Sequence, residues 1–437
     1  MGSKPEYALY WGVRPRASAC YSGVKMPISR VKPIPEHVVR DILMRGVRVS
    51  IPQRNAAAIF ISARRPLRVK YGIDPTQPAL TLGHLTVLRK LRLLQKYGHI
   101  PVLLIGDFTA RFGDPTEKLK ARVLRKKEDV AKASARYRAQ IGRILDLKKT
   151  EFRGNGEWYD RMSAEDLLRL ESSVTAMQVL ERDMFRERQK KRLPIGLHEV
   201  AYPILQGYDS VMLRSDATII GKDQLFNELM GRAFQERFHQ TPQVILGVEL
   251  LVGSDGREKM SQSIGNAIAL TELPDEQFGK IMAIPDSALP QYAELLTDLP
   301  LTQIKRDVRR GGMEARDAKA RVAEAIVAQI HGAKAAASAR RLFTSRFRNR
   351  EQPAMEKLRE WKIAKKEWTP LELLVKVKLV PSRAQAQRLV EQGGVRLDGV
   401  TMGNPRGVFQ LKKKEHILSV GKHTTLRIIF TKSTPPR

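Results

Sequence analysis

The arrangement that most constrains the fold of this chain is a strand, a turn, a helix and a second strand in close succession. Leu67–Ile73 begins with alternating apolar and polar residues, which is typical of a strand. The turn Asp74-Pro75-Thr76 ends it, and leucines then recur at helical spacing at Leu85, Leu88, Leu91 and Leu94. The apolar run Val102–Ile105 predicts a buried parallel strand. We therefore expect a doubly wound, Rossmann-like α/β sheet whose ligand binds at the carboxyl ends of its strands.

Periodicity and composition divide the 437 residues into four parts. The expected parts are a basic N-terminal arm at 1–40, an α/β domain at 41–300 with a mostly helical insertion at about 119–198, an α-helical domain at 301–355, and a small α+β domain at 356–437. Within the last part, Lys362–Lys366 and Pro370 predict a linker. A helical pair, the strand Val395–Leu397 and a final strand Leu426–Phe430 follow it.

The charge of the chain is concentrated at its two ends. The whole sequence has a formal net charge of +32, of which residues 1–70 carry +11 and residues 331–437 carry +16. The intervening residues 71–330 carry only +5. Basic ends on a nearly neutral middle indicate a polyanionic partner such as a nucleic acid. A solvated basic surface without a partner is the alternative at both ends.

Several classes of protein are excluded by what the sequence lacks. No apolar run approaches the ~18 residues of a membrane span, and the N-terminus lacks the apolar core of a secretory signal. The single Cys20 excludes a disulfide framework and a CxxC zinc site. We therefore expect no structural metal, no membrane partner and a cytoplasmic location.

Two segments have the composition of phosphate-binding sites. Gly83 and His84 stand at the start of the first predicted helix, where free N–H groups and the helix dipole favour an anion. The alternative is a helix cap with a satisfied histidine. The loop Lys259–Ser263 follows the Gly-rich segment 253–256, and its lysine could neutralise a leaving pyrophosphate. A solvated lysine is the alternative there.

Three further clusters could bind polar groups of a small substrate. Tyr202, Gln206 and Asp209 share one helix face, which suits an amine and a hydroxyl, or else is a capping or surface cluster. Asp223 in Gly221–Gln224 could accept hydrogen bonds from a ribose, or the segment is a simple turn. Asp114 in Gly113–Thr116 could face an ammonium group, or the segment is a plain turn.

In this order, the motifs together resemble bacterial-type tyrosyl-tRNA synthetases, which are class I aminoacyl-tRNA synthetases, over about residues 40–430. The DPT…LGH segment at 74–84 resembles the HIGH signature of that class, and Lys259–Ser263 resembles its KMSKS loop. The segment 202–210 resembles the tyrosine-binding helix of the family. The segments 106–118 and 221–227 resemble its amino-acid-binding turn and its nucleotide loop.

The resemblance implies roles for individual residues. The catalytic residues would be Thr76, Thr81, His84, Lys259 and Gln262. Those that bind tyrosine would be Lys70, Asp74, Asp114, Tyr202, Gln206, Asp209 and Gln224. Those that bind ATP would be Gly72, Gly83, His84, Gly221, Asp223, Lys259, Met260 and Ser261. The implied reaction joins tyrosine to ATP, which binds with Mg²⁺, and then passes the tyrosyl group to the 3′ end of tRNA(Tyr). The family also implies a homodimer.

The C-terminal part resembles a small RNA-binding module that is also found in a ribosomal small-subunit protein and in pseudouridine synthases. The matching segments are Val380–Leu389 and Gly393–Gly399. Arg383, Arg388 and Arg396 could contact phosphates, and each contact would add to a salt-dependent affinity. We expect tRNA to be the partner of this basic end.

The sequence departs from the family signatures at a few positions. Thr81 replaces the first histidine of HIGH, and Gln262 replaces the second lysine of KMSKS with the loss of a positive charge. Lys222 could restore some of that charge. Lys70 stands where some members have a tyrosine that contacts the substrate phenol. One alternative function is therefore a synthetase-derived RNA-binding protein with weak or no adenylation. A tryptophan ligase is a second alternative, but Gln206 and Asp209 suit a phenol.

Overall fold

The computed structural model describes two compact units of the chain. The described residues are 31–112, 126–348, 359–364, 367–377, 379–380, 382–411, 414–421 and 424–430. The first unit comprises residues up to 253 together with 257–271 and 294–298, and the second comprises 254–256, 272–293 and the residues from 299 onward. Most of the predicted N-terminal arm and Asp114 with its turn lie outside the described residues.

The first unit is built on a sheet with the strand order β1-β6-β5-β2-β3-β4. Its strands are β1 (Val47–Ile51), β2 (Arg68–Ile73), β3 (Ile100–Ile105), β4 (Glu151–Gly154), β5 (Ala217–Gly221) and β6 (Val244–Val248). From β6 to β4 the neighbouring strands run parallel, which confirms the doubly wound parallel sheet. The difference from the prediction is β1, which closes one edge antiparallel to β6.

The strand order places a ligand crevice beside the central strand β2. After β2 the chain moves outward through β3 and β4 on one side, and later returns to form β5 and β6 on the other. The strand order therefore reverses between β2 and β5. In doubly wound sheets the crevice outside the carboxyl ends at such a switch point is where ligands bind.

The helices of the first unit, in chain order, are α1 (Glu36–Val38), α2 (Ala58–Ile61), α3 (Leu82–Lys96), α4 (Lys127–Ile141), α5 (Gly156–Tyr159), α6 (Ala164–Glu171), α7 (Ala176–Leu180), α8 (Asp183–Lys190), α9 (Leu197–Leu213) and α10 (Leu225–Arg237). Of these, α4 to α8 lie within the interval that was predicted as a helical insertion. The periodic leucines of α3 are fully buried, and Gly98 follows its end with φ +93°. The interval 119–198 is mostly helical where it is described, but it also contributes β4 to the sheet.

Residues 272–348 are mainly helical, and the domain predicted as α-helical at 301–355 is so as far as residue 348, where the described range ends. The helices are α11 (Pro274–Ala283), α12 (Leu289–Leu296), α13 (Leu301–Arg310), α14 (Gly312–His331) and α15 (Ala333–Arg348). In the second unit, α11 and α14 both pack against α15, and Phe278 meets Phe343 with ring centroids 5.4 Å apart. Among the helices of the described ranges, none is long and apolar enough to cross a bilayer.

The C-terminal residues form a small mixed structure around its own core. Its elements are β7 (Arg359–Ile363), β8 (Glu367–Trp368), α16 (Pro370–Lys376), α17 (Arg383–Glu391), β9 (Val395–Leu397), β10 (Val400–Thr401), β11 (Phe409–Gln410), β12 (Glu415–Val420) and β13 (Thr424–Phe430). The helical pair and both predicted strands are present. The linker prediction is wrong for the residues that the structure describes, because β7 pairs parallel with β13 up to Ile363 and Pro370 begins α16 after the cap residue Thr369. Lys365 and Lys366 lie outside the described residues.

Buried His99 makes the stability of the first unit sensitive to acid. Its Nδ1 accepts a hydrogen bond from the Leu67 N–H at 3.2 Å, and burial lowers its pKa from 6.5 to about 4. The folded state therefore keeps His99 neutral, so stability is full above pH ~6.5 and is lost as the pH falls towards ~4, by up to ~3 kcal/mol. We expect His99→Gln to flatten this loss. Urea unfolding of both proteins near pH ~7 and ~5 measures it, and an equal loss in both would contradict the assignment.

Candidate active site

A cavity of about 290 Å³ lies in the first unit at the switch point between β2 and β5. It gathers all of the predicted catalytic, tyrosine-binding and ATP-binding residues that the structure describes. Those lining residues are Lys70, Gly72, Asp74, Thr76, Thr81, Gly83, His84, Tyr202, Gln206, Asp209, Gly221, Asp223, Gln224, Lys259, Met260, Ser261 and Gln262. Asp114 is the remaining one, and it lies outside the described residues. The strand ends thus collect side chains from widely separated parts of the sequence, whereas their individual roles stay predictions.

The N-terminus of α3 forms one wall of the cavity and carries His84. The backbone N–H of Thr81, the residue that precedes the helix, donates to Nδ1 of His84 at 3.1 Å. Because Nδ1 accepts, a neutral ring carries its proton on Nε2. The helix end therefore adds a fixed side-chain donor to its own N–H groups, which is the chemistry of an anion site.

The loop at 259–263 is held in a defined shape by Asn266. The Asn266 side chain is 5% exposed; its Oδ1 accepts from the Ser261 N–H at 2.8 Å and its Nδ2 donates to the Lys259 carbonyl at 3.3 Å. Gly253 packs so closely that a Cβ there would lie 2.2 Å from the Asn266 side chain. Asn266 therefore anchors the loop, and Lys259 lines the cavity.

Lys259 forms an ion pair across the cavity. Its Nζ lies 2.9 Å from Oδ2 of Asp223, which follows β5 in a 3₁₀ turn at Lys222–Gln224. The pair joins the residue predicted to bind pyrophosphate to the residue predicted to bind ribose. A cation and a ribose-type acceptor thus line the same cavity in direct contact with each other.

The structure gives a role to Gln262, one of the departures from the signatures, and shows the partner of Lys222. The Gln262 amide donates to the carbonyl of Ala79, so this residue ties the loop to the segment before α3. Lys222 is 2.7 Å from Glu249, and its charge is therefore already balanced. The hypothesis that Lys222 compensates for the charge missing at Gln262 has no support from this arrangement.

Asp209 lines the cavity, and its carboxyl group is buried. It accepts hydrogen bonds from Nε1 of Trp158 at 3.0 Å and from Nδ2 of Asn155 at 3.4 Å. Burial raises its pKa from 3.8 to about 7, and the charge of Lys70 and the bond from Asn155 oppose that rise. A carboxyl group fixed in this way can hydrogen-bond a substrate hydroxyl and cannot turn to solvent.

Asp74 and Tyr202 form a second polar group on the cavity wall. The Tyr202 hydroxyl donates to Oδ2 of Asp74 at 2.9 Å, and Thr109 donates to Oδ1 at 2.8 Å. A phenol that gives its proton to a carboxylate keeps its oxygen as an acceptor, which suits an ammonium group. Gly106 is required here because a Cβ would lie 1.9 Å from Oδ1 of Asp74.

Sequence reasoning missed several residues of this site. Asn155 and Trp158 hold Asp209 but were placed in the helical insertion, although Gly154-Asn155-Gly156 is a turn signal that could have ended a strand. Thr109 was also missed. Glu228 was missed as well: it lines the cavity and is 2% exposed, but a glutamate in a helical pattern is ordinarily read as a solvent-facing residue.

The predicted RNA-binding arginines lie in the second unit and are exposed. Arg383 and Arg388 belong to α17 and Arg396 to β9. Ser382 caps α17 by accepting from the Gln385 N–H at 3.3 Å. Across the described ranges, no group of three or more His, Cys, Asp or Glu side chains could hold a metal ion.

Comparison with known proteins identifies the family. The sequence profile "tRNA synthetases class I (W and Y)" matches residues 62–348, and the profile "S4 domain" matches residues 371–405. The tyrosine–tRNA ligase of Carboxydothermus hydrogenoformans is 39% identical over 409 residues, which cover 90% of this chain and 98% of that protein. The tyrosine–tRNA ligase of Thermotoga maritima is 41% identical over 397 residues, with coverages of 90% and 98%.

Solved structures agree at the level of the fold. A C-terminally truncated mitochondrial tyrosyl-tRNA synthetase of Aspergillus nidulans superposes with a TM-score of 0.60 at 21% identity, over 72% of this chain and 95% of that one. The tyrosyl-tRNA synthetase of Archaeoglobus fulgidus, solved with L-tyrosine, has a TM-score of 0.55 at 21% identity, over 67% of this chain and 97% of that one. From the matched profiles and the relatives of about 40% identity, the chain belongs to the tyrosine–tRNA ligase family of class I aminoacyl-tRNA synthetases.

Proposed function

We propose that this chain activates L-tyrosine with ATP and transfers the tyrosyl group to the 3′ end of tRNA(Tyr). The observation that carries the proposal is that a buried Asp209, the N-terminus of α3 and the Lys259 loop line one and the same cavity. Those three features suit a phenol, a phosphate chain and a leaving pyrophosphate respectively. The relatives of about 40% identity bear the name of the same activity.

Tyrosine would bind with its phenol at Asp209 and its ammonium group at Tyr202 and Gln206. Asp209 accepts the phenol O–H, while Tyr202 and Gln206, with Asp114, accept from the ammonium. Asp74 orients Tyr202 through their 2.9 Å hydrogen bond. Gln224 contacts the substrate beside Gln206, since both amides are bridged by Nδ2 of Asn227. Lys70 contributes positive charge beneath the phenol.

ATP would bind between the end of α3 and the signature loop. His84 donates through Nε2 to phosphate or ribose, and the hydroxyls of Thr76 and Thr81 donate beside it. Lys259 binds the pyrophosphate, and Asp223 accepts from the ribose. The remaining contacts are with the backbone of Gly72, Gly83, Gly221, Met260 and Ser261. Mg²⁺ enters as part of the ATP complex.

The chemistry needs no nucleophile from the protein. The tyrosine carboxylate attacks the α-phosphorus in line, and pyrophosphate leaves towards Lys259. A ribose hydroxyl of the tRNA then attacks the activated carbonyl, and AMP leaves. The protein supplies positioning and charge stabilisation, which can account for most of such a rate enhancement.

Tyrosine-dependent exchange of labelled pyrophosphate into ATP tests this function. The proposal requires exchange that depends on tyrosine and saturates with it. No exchange at saturating tyrosine would leave the chain as an RNA-binding protein without adenylation. Exchange that depends on tryptophan instead would assign it to the other branch covered by the same profile.

Binding of tRNA would use the basic C-terminal part, with the helices of 301–355 near the anticodon region. We propose the division 1–40, 41–300, 301–355 and 356–437 as the functional domains.

Substituting Arg383, Arg388 and Arg396 together by Gln is expected to weaken tRNA binding and to reduce the slope of log affinity against log salt by about one unit for each lost phosphate contact. Filter binding at several salt concentrations measures this, and an unchanged slope would remove these arginines from the interface.

We also propose a homodimer in the cytoplasm. Leu168, Met177 and Leu197 are 65%, 71% and 88% exposed on α6, α7 and α9, and both shorter helices pack on α9. Large apolar side chains that are left in water on adjoining helices favour a protein interface.

Leu197→Asp is expected to shift the sedimentation coefficient from dimer to monomer. The exposed Val400→Asp serves as the control, and a wild-type monomer would contradict the proposal.

A further inference from the structure

Glu228 of α10 is a buried carboxylate to which the roles above assign no function. Its Oε2 lies 2.8 Å from Nζ of Lys70, and the two side chains are 2% and 1% exposed. Lys70 also donates to Oγ of Ser210 at 2.7 Å. Replacing a buried ion pair by apolar residues is often neutral or stabilising. The presence of this pair on the cavity wall therefore favours a role in recognition over a role in stability.

Glu228 fixes the orientation of the Gln206 amide. Oε1 of Glu228 accepts from Nε2 of Gln206 at 3.0 Å. Because a carboxylate only accepts hydrogen bonds, it selects the NH₂ end of the amide and turns the oxygen away. That oxygen accepts from Nδ2 of Asn227 at 2.6 Å and has a second lone pair. An ammonium group requires this acceptor end, so the orientation imposed by Glu228 is the productive one.

Glu228 also provides the counter-charge for Lys70. Lys70, Glu228 and Asp209 all line the cavity, and the charge of Lys70 acts on Asp209 electrostatically. Without Glu228, the buried ammonium would be drawn to Asp209. An ammonium paired with Asp209 would compete with the phenol O–H for the same oxygen atoms.

The surrounding network holds Glu228 rigidly. Nε2 of Gln243 donates to Oε2 of Glu228 at 2.7 Å and lies 3.1 Å from Oγ of Ser210. Gly231 leaves the required space, because a Cβ there would lie 2.6 Å from Oγ of Ser210. The carboxylate is thus satisfied on both oxygens by protein donors.

We propose that Glu228 is a positioning residue for tyrosine, which presents the oxygen of Gln206 to the substrate ammonium and holds Lys70 away from Asp209. This proposal rests on the proposed function. Wild-type protein without tyrosine-dependent exchange would refute that function. Active wild-type protein with an unaltered Glu228 variant would refute only the present inference.

Glu228→Gln is the direct test, since an amide of the same shape can donate as well as accept. We expect KM for tyrosine to rise ~10-fold or more, because the charged hydrogen-bond acceptor that orients the Gln206 amide is lost. KM for ATP and kcat should change little, and discrimination against phenylalanine should fall. Glu236→Gln, at an exposed position of the same helix, is the matched control. An unchanged KM for tyrosine would overturn the proposal.

A second pair of variants separates positioning from stability. Glu228→Leu leaves Lys70 buried and unpaired and should lower the melting temperature, whereas Lys70→Met with Glu228→Leu should restore it. The double variant still lacks the acceptor that orients Gln206, so its KM for tyrosine should be higher than that of Lys70→Met alone. A restored melting temperature with a KM equal to that of Lys70→Met alone would show that Glu228 acts through stability alone.

Discussion

Replacing Asp209 by Ala is expected to lower discrimination between tyrosine and phenylalanine by ~10²-fold or more. A site that hydrogen-bonds a substrate hydroxyl rejects the analogue that lacks it by ~10⁴–10⁵, because its own polar groups would otherwise stay buried and unpaired. Asp209 is 2% exposed and fixed by Trp158 and Asn155. It therefore cannot find a substitute partner in water when phenylalanine binds.

The measurement is kcat/KM for each amino acid in pyrophosphate exchange. Most of the change should be a loss for tyrosine, while phenylalanine should be used as well as before or better. Asp129→Ala, at an exposed position of α4, controls for the loss of a carboxylate. Equal losses for both substrates would indicate a damaged cavity and would contradict a specific role for Asp209 in binding the phenol.

Replacing Lys259 by Ala is expected to lower kcat for adenylation by ~10²–10³. The second lysine of the signature is absent here, so Lys259 is the cation that the loop 259–263 can offer to the leaving pyrophosphate. Removing one preorganised donor that acts on developing charge costs this much in comparable sites. KM for tyrosine should be unchanged, because the tyrosine contacts lie elsewhere in the cavity.

Lys132→Ala, at an exposed position of α4, is the control for Lys259→Ala. KM for ATP is the informative second measurement. Lys259 is paired with Asp223, so the alanine variant frees a ribose acceptor while it loses a phosphate ligand, and the two effects oppose each other. A kcat that falls less than tenfold would show that Lys259 is not the main stabiliser of the leaving group.

The fold could be predicted wherever a local pattern decides the structure. The leucines of α3 and the apolar run of β3 each reflect burial in the core of the first unit, and the resulting βαβ unit is present. The strands β4 and β7 were missed because they are short and rich in charge. Each is defined by a partner distant in sequence: β7 pairs with β13, and no local pattern contains that information.

The residues of the candidate active site also fall into those that a local motif identifies and those that depend on distant partners. Residues within recognisable motifs, such as Tyr202, Asp209 and Lys259, could be named from the sequence, and the structure brings them to one cavity. Glu228 could not, because its burial depends on Lys70, which lies 158 positions earlier in the chain. From the sequence alone, a carboxylate in a helical pattern is expected to be exposed to solvent, because nothing local identifies the lysine with which it pairs.

Chemical modification of Lys90 would measure how often the first unit opens transiently. Its Nζ donates to the carbonyls of Ile42, Leu43 and Arg45 and it is 2% exposed. Burial, with the charge of Arg89, lowers its pKa from 10.5 to about 7, while the three carbonyl acceptors hold its three N–H bonds. Burial and these hydrogen bonds together protect the nitrogen from acylating reagents as long as the structure is closed. Its rate of acylation, followed by mass spectrometry, would therefore count transient openings between α3 and the segment 42–45.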